Sequence, residues 1–152
     1  MTHETRLERG RRALAEIDGE AGARVVDALA DIAPDFATYL LEFPFGDIYA
    51  RPGLGLRERE IATIAALAAM GNAAPQLKVH LEAGLNVGLT RAEIVEILMQ
   101  IAVYAGFPAA LNGLFAAREA STSEVYGRNP AVPWSETATG CSARLPSTAG
   151  AT

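Results

Sequence analysis

The segment "LREREIATIAALAAMG" (56–71) limits the fold more than any other part of the chain. Charges crowd its first turn, and small apolar residues follow almost without a break. A helix so rich in alanine lets its neighbours approach closely. A helix apolar on nearly every side must also be buried nearly all round. With 152 residues the chain is long enough for one domain with a sizeable core, but it has little material to cover such a helix completely. Burial inside a closed, symmetric oligomer is the economical solution.

The remaining pattern is helical as well. Half of the residues are hydrophobic, aromatics are few, and runs of β-branched residues are almost absent, a mix that favours closely packed helices. Residues 4–17 carry alternating charge, with Leu7, Leu14 and Ile17 as apolar positions, and read as a solvated amphipathic helix. "GEAGARVVDALADIAP" predicts a short helix that puts Val25, Val26, Leu29 and Ile32 on or near one face. Pro34 then opens the next helix at its first position, and Phe36, Tyr39, Leu40 and Phe43 are expected to point inward. The glycine- and proline-rich stretch 43–56 reads as a turn-containing connection with a short helical piece. In the helix over 74–88, Leu77, Leu81 and Leu85 recur along one side, Lys78 and Glu82 form a pair one turn apart, and Gly88 suits a left-handed cap. "TRAE" (90–93) is a capping box in which Thr90 and Glu93 start a helix through Ile94, Ile97, Leu98, Ile101 and Tyr104. A last helix spans 108–127. The domain is expected to cover 1–127, and 128–152 to be a flexible tail, with Trp134 its one docking residue.

Several function classes are excluded. The net charge is −5, and no basic block alternates with aromatics, so no nucleic-acid partner is expected. The longest apolar run, 61–70, is too short to span a bilayer, and the polar start "MTHETRLERGRR" is no signal peptide. A cytoplasmic location without membrane attachment is the expectation. Cys141 is the single cysteine, which rules out an intramolecular disulfide, a C-x-x-C redox motif and a thiolate zinc site. His3 and His80 stand far apart with no metal-ligand spacing around them, so neither a metal nor a cofactor is expected.

Four segments in order resemble the carboxymuconolactone decarboxylase family: "RPGL" before a charged helix start, "QLKVH", the spaced pattern "GLNVGLTRAEIVE", and "YAGFPAA". The resemblance covers 45–111. It implies an all-α, alkylhydroperoxidase D-like bundle of antiparallel helices that assembles as a trimer or hexamer. Members include the enzyme that removes carbon dioxide from 4-carboxymuconolactone in aromatic-acid breakdown. Thiol peroxidases of the wider superfamily carry C-x-x-C-x-x-x-H, which puts their cysteines at Ala73 and Gln76. Neither is cysteine, so the resemblance favours the decarboxylase branch. Decarboxylases often have glutamate at the position of Gln76 and tryptophan at that of Phe45.

The expected activity is therefore that of a cofactor-free carboxy-lyase on a small carboxylated cyclic or lactone substrate. The alternatives are a related proton-transfer enzyme (an isomerase or cyclase) and a non-catalytic oligomeric ligand-binding protein. Such a lyase must hold carboxylates with cations, stabilise an oxyanion and deliver a proton to carbon. His80 is the candidate acid/base, since imidazole titrates near neutrality. On its helix alone it reads rather as a core histidine bonded to a backbone carbonyl, and it is the family resemblance that favours catalysis or substrate contact. Gln76 lies one turn earlier on the same face and is placed to hold a substrate oxygen or orient the ring. Glu60, in the first turn of the alanine-rich helix, either pairs with His80 across two helices or pairs with an arginine. Arg51 is the chosen carboxylate anchor, because guanidinium binds carboxylate bidentately. Arg57 and Arg59 oppose the dipole at a helix start and are expected to pair with acids or cross an interface. Tyr49, Tyr104 and Phe45 are candidate substrate contacts, with Phe107 and Met70 as further pocket or packing positions.

Overall fold

The computed structural model describes residues 4–122, and these are all-helical, with no strand among them. The expected tail 128–152, with Trp134 and Cys141, and also His3, lie outside the described residues. The α-helices are α1 (Arg6–Ile17), α2 (Gly19–Asp27), α3 (Pro34–Leu40), α4 (Leu56–Met70), α5 (Ala74–Asn86), α6 (Arg91–Ala105) and α7 (Phe107–Thr122). Between α3 and α4 the chain winds through a π-helical segment, Leu41–Tyr49.

Local chemistry sets most boundaries. Thr90 accepts from the Glu93 backbone N–H while the Glu93 side chain accepts from the Thr90 N–H, the reciprocal box that starts α6. Thr5 and Glu8 repeat it at the start of α1. Pro34 occupies the first turn of α3, where its missing N–H leaves no bond unmade. Gly88 follows α5 at φ +97°, a conformation that glycine adopts without a side-chain penalty.

The helices pack into two layers that share α5. Ile64 and Ala68 of α4, Leu77 and Leu81 of α5, Ile94, Leu98 and Ile101 of α6, and Ala116 and Ala117 of α7 form one aliphatic cluster. Ala13, Leu14 and Ile17 of α1, Leu41 and Phe45 of the π-helical segment, and Ala83 of α5 form the second. In the second layer α1 and the π-helical segment approach to backbone distance. A Cβ on Gly46 would lie 2.7 Å from the Arg6 carbonyl, so only glycine serves there. Arg9 Nε donates to the Gly46 carbonyl at 2.6 Å, and Arg6 Nε to Asp47 at 3.1 Å. The π-helical segment, with Pro44 inside it, is thereby clamped to α1.

Two expectations are corrected. Phe36, Tyr39 and Phe43 are exposed, as are Val25 and Ile32, because in one chain no element covers that face. Within one chain helix α4 is buried along one stripe, Glu60, Ile64 and Ala68, and burial of its other sides belongs to the expected oligomer. Lys78 donates to Glu119 of α7 at 2.6 Å instead of pairing with Glu82. Glu82 is half-buried, and burial pushes its carboxyl up to about 7, against the pull of Arg24.

Candidate active site

Helix α5 separates the two layers, and His80 lies on it between Leu77 and Leu81, which face the aliphatic cluster, and Ala83, which faces the second. That seam is where a polar side chain reaches another polar side chain without crossing hydrocarbon. His80 Nδ1 lies 2.9 Å from Glu60 Oε2 of α4. Glu60 is fully buried, and its other oxygen accepts from the Tyr49 hydroxyl at 2.9 Å. The same hydroxyl lies 2.9 Å from Thr63 Oγ1, which also donates to the Arg59 carbonyl at 2.9 Å. The two hydroxyls carry two protons for three contacts, so they satisfy two of them at a time.

The orientation decides which nitrogen is free to react. A neutral ring that gives its Nδ1 proton to Glu60 leaves the Nε2 lone pair as a base. A charged ring presents Nε2–H as an acid. Nε2 has no hydrogen-bond partner among the described residues, and about a fifth of the side chain is exposed. Burial opposes the charged ring, but the hydrogen bond and charge of Glu60 outweigh it, helped by the charge of Asp18. The pKa therefore lies above the ordinary histidine value. Burial, with the charge of Glu60, pushes the Tyr49 phenol far up, so it remains a donor.

The sequence-derived candidates divide into two groups. His80, Glu60 and Tyr49 are bonded together, and the buried Phe45 ring stacks on Tyr49 at 5.4 Å between centroids. Gln76 and Arg51 are exposed outside that bonded cluster, and Tyr104, 83% exposed, stands on the far part of α6. Phe107 and Met70 are exposed too. Arg57 pairs with Glu93, as a cation at a helix start should. Arg59 does otherwise: its guanidinium lies 5.8 Å from the Tyr49 ring centre and donates to the Arg51 carbonyl at 3.0 Å, while its buried Nε has no partner among the described residues. Thr63 and Asp18 were not singled out from sequence. Thr63 is the one hydroxyl in an apolar run, which was the signal available. Asp18 precedes a glycine and so looks like an ordinary turn residue. No cluster of three potential metal ligands occurs among the described residues.

An open groove of about 510 Å³ runs elsewhere, past Glu16, Arg57, Glu58 and Asn86. It contains none of the bonded cluster, and its arginine is already engaged by Glu93.

The model of the carboxymuconolactone decarboxylase family matches residues 34–119, which include Tyr49, Glu60, Thr63 and His80. The chain belongs to that family. It is 34% identical over 120 residues to the 4-carboxymuconolactone decarboxylase of Acinetobacter baylyi, covering 78% of this chain and 89% of that protein. A 15.0 kDa protein of Paracoccus denitrificans is 32% identical over 98 residues, 64% of this chain and 73% of the relative. The nitrosuccinic acid decarboxylase of Metarhizium robertsii is 29% identical over 75 residues, 49% of this chain and 52% of that protein. Asp18 lies before the segment that the family model matches.

Proposed function

We propose that this family member is a carboxy-lyase acting on a small carboxylated cyclic or lactone substrate, with His80 as its general acid/base. The observation that carries the reading is a partly exposed imidazole whose Nδ1 is held by a buried carboxylate and whose Nε2 is unbonded. Two relatives with decarboxylase names support it. The substrates in those names share a chemistry. Each has a carboxylate on a carbon whose electrons can flow into an acceptor, a conjugated lactone in one and a nitro group in the other, and each retains a second carboxylate.

Loss of carbon dioxide breaks the carbon–carboxylate bond and leaves its electron pair in the acceptor, as a dienolate or a nitronate. Protonated His80 then delivers the Nε2 proton to carbon, and the ring returns to its neutral form. The substrate is its own electron sink, so the reaction needs no cofactor in this reading. Glu60 fixes the ring and favours its charged form, and Tyr49 holds Glu60 in turn. Arg51 and Arg59 are the cations for the retained carboxylate, Phe45 beside Tyr49 is an apolar contact, and Gln76 and Tyr104 are contacts only for a substrate that extends beyond the bonded cluster. The exposed aromatics Phe36, Tyr39, Phe43, Tyr104 and Phe107 support assembly into a homo-oligomer, a trimer or hexamer, which sedimentation of the purified protein tests directly.

The deciding experiment is carbon dioxide release from 4-carboxymuconolactone and, separately, from nitrosuccinate, with His80→Ala alongside and its fold checked by circular dichroism. Release that drops about a hundredfold or more in the folded variant is expected. No release from either acid by the wild-type protein retires the carboxy-lyase reading. Solvent deuterium appearing in an unreacted lactone would then direct attention to isomerisation.

A further inference from the structure

Two charged side chains are buried among the described residues, Glu60 and Asp18. Glu60 has partners for both oxygens, whereas Asp18, only 6% exposed, has none for Oδ1. A buried carboxylate oxygen without a donor is unfavourable, so the fold retains it against its own stability.

The turn does not require this carboxyl. Asp18 joins α1 to α2 through its backbone: its N–H donates to the Leu14 carbonyl at 2.8 Å, and its carbonyl accepts from Ala21 at 3.2 Å and Gly22 at 3.3 Å. Its side chain caps neither helix. Space for it is kept by Gly22, where a Cβ would lie 2.7 Å from that of Asp18. The junction is also tied to the helix that carries His80. Asn86 of α5 donates to the Ile17 carbonyl at 3.0 Å, and Ile17, fully buried, belongs to the cluster of Phe45 and Ala83. The titratable groups that feel the charge of Asp18 are His80 of α5, Glu60 of α4 and Tyr49 of the π-helical segment, the three bonded members of the site.

We infer that Asp18 is a positioning residue for His80: its carboxylate is the second negative charge that, with Glu60, holds the imidazole protonated, and its own protonation releases part of that hold. The charge is adjustable in the right range, since burial pushes the carboxyl up to about 6 in spite of the pull of His80. Asp18 and His80 therefore titrate as a coupled pair. The part this plays in turnover rests on the carboxy-lyase reading; the electrostatic coupling does not.

Histidine NMR tests the coupling without any substrate. With only two histidines in the chain, a His3→Ala background leaves His80 as the sole imidazole signal. Asp18→Asn should move its titration midpoint down and cut the imidazolium fraction above that midpoint roughly threefold or more. Asp18→Glu, which keeps the charge, should restore most of it. A folded Asp18→Asn protein with an unchanged midpoint overturns the inference. So does an Asp18→Glu midpoint as low as that of the asparagine variant, because packing rather than charge would then be the cause. If neither variant folds, the Asp18 carboxyl carbon signal of the wild-type protein decides. Two titration steps, one at the His80 midpoint, support the coupling, and a single step unrelated to His80 overturns it.

Discussion

Helix α5 faces two different environments. Toward α4, α6 and α7 it presents Leu77 and Leu81 to a cluster made entirely of aliphatic side chains. Toward α1 and the π-helical segment it presents Ala83 to a layer bordered by Tyr49, Asp18 and the His80–Glu60 pair. One side stabilises the fold by removing hydrocarbon from water, and the other keeps charge in low dielectric at a cost in stability. The contrast teaches where chemistry is possible. Imidazole at the seam borrows rigidity from the aliphatic layer and electrostatics from the polar one, and the two contributions should separate under mutation.

The largest effect is expected on the aliphatic side. Leu98 is fully buried in that cluster, and truncation to alanine should lower unfolding free energy by about 2–5 kcal/mol. Urea denaturation measures the loss, and the His80 titration of the folded variant should stay where it was. A moved midpoint would mean that the layers are not independent. On the polar side the expectation is reversed. Glu60→Gln keeps the volume but removes the charge beside Nδ1, so the His80 pKa should fall and carbon dioxide release should drop on the order of a hundredfold at neutral pH. Stability should change less than for Leu98→Ala. Unaltered release would deny Glu60 its part in holding the charged ring.

Much of this contrast was legible in the sequence, on one side especially. Ile94, Leu98 and Ile101 recur at helical spacing, and they are buried as that spacing implies. The Thr90–Glu93 box and Gly88 announce their boundaries because each is a local rule satisfied within a few residues. Periodicity says which residues share a face, however, and not whether anything covers it, so Phe36, Tyr39 and Phe43 read as core but are exposed. The same limit applied to the site. Glu60 left two partners open until tertiary structure brought α4 against α5, and Lys78 found Glu119 from a helix much later in the chain. Asp18 gave no signal at all, since a turn aspartate and a buried one are the same letter before a glycine.

The pH dependence of stability tests the polar layer as a whole. His80 has a raised pKa in the folded state, so its contribution is fully present below about 6.5, the ordinary unfolded value, and is lost as pH rises through the folded one. Asp18 titrates near 3.8 unfolded and about 6 folded, so its burial is harmless at low pH and becomes costly as pH rises between those values. Both act in the same direction, and stability should fall from about pH 4 toward pH 8. Asp18→Asn removes the part of that slope due to Asp18 and leaves the part due to Glu82, whose carboxyl is also pushed up by burial. It should gain on the order of 2 kcal/mol relative to wild type at pH 8 and little at pH 4. Thermal melts at the two pH values measure the difference, and equal gains at both would place the effect in packing rather than charge.

The finest distinction concerns Tyr49, which belongs to both layers at once: its ring packs with the second cluster while its hydroxyl bonds Glu60 and Thr63. Tyr49→Phe keeps the ring and deletes the hydroxyl. The lost hydrogen bond should reduce stability by about 1 kcal/mol, less than any effect above. Its consequence for His80 has a definite sign. Without the phenol proton, Glu60 retains more charge density for the imidazole, so the ring should hold its proton more firmly and its midpoint should rise. A proton-transfer enzyme that needs the neutral ring in each cycle would then lose rate at neutral pH and recover it at higher pH. A fall in the midpoint instead would show that the hydroxyl mainly orients Glu60 toward His80, making geometry rather than charge the limiting feature of the seam.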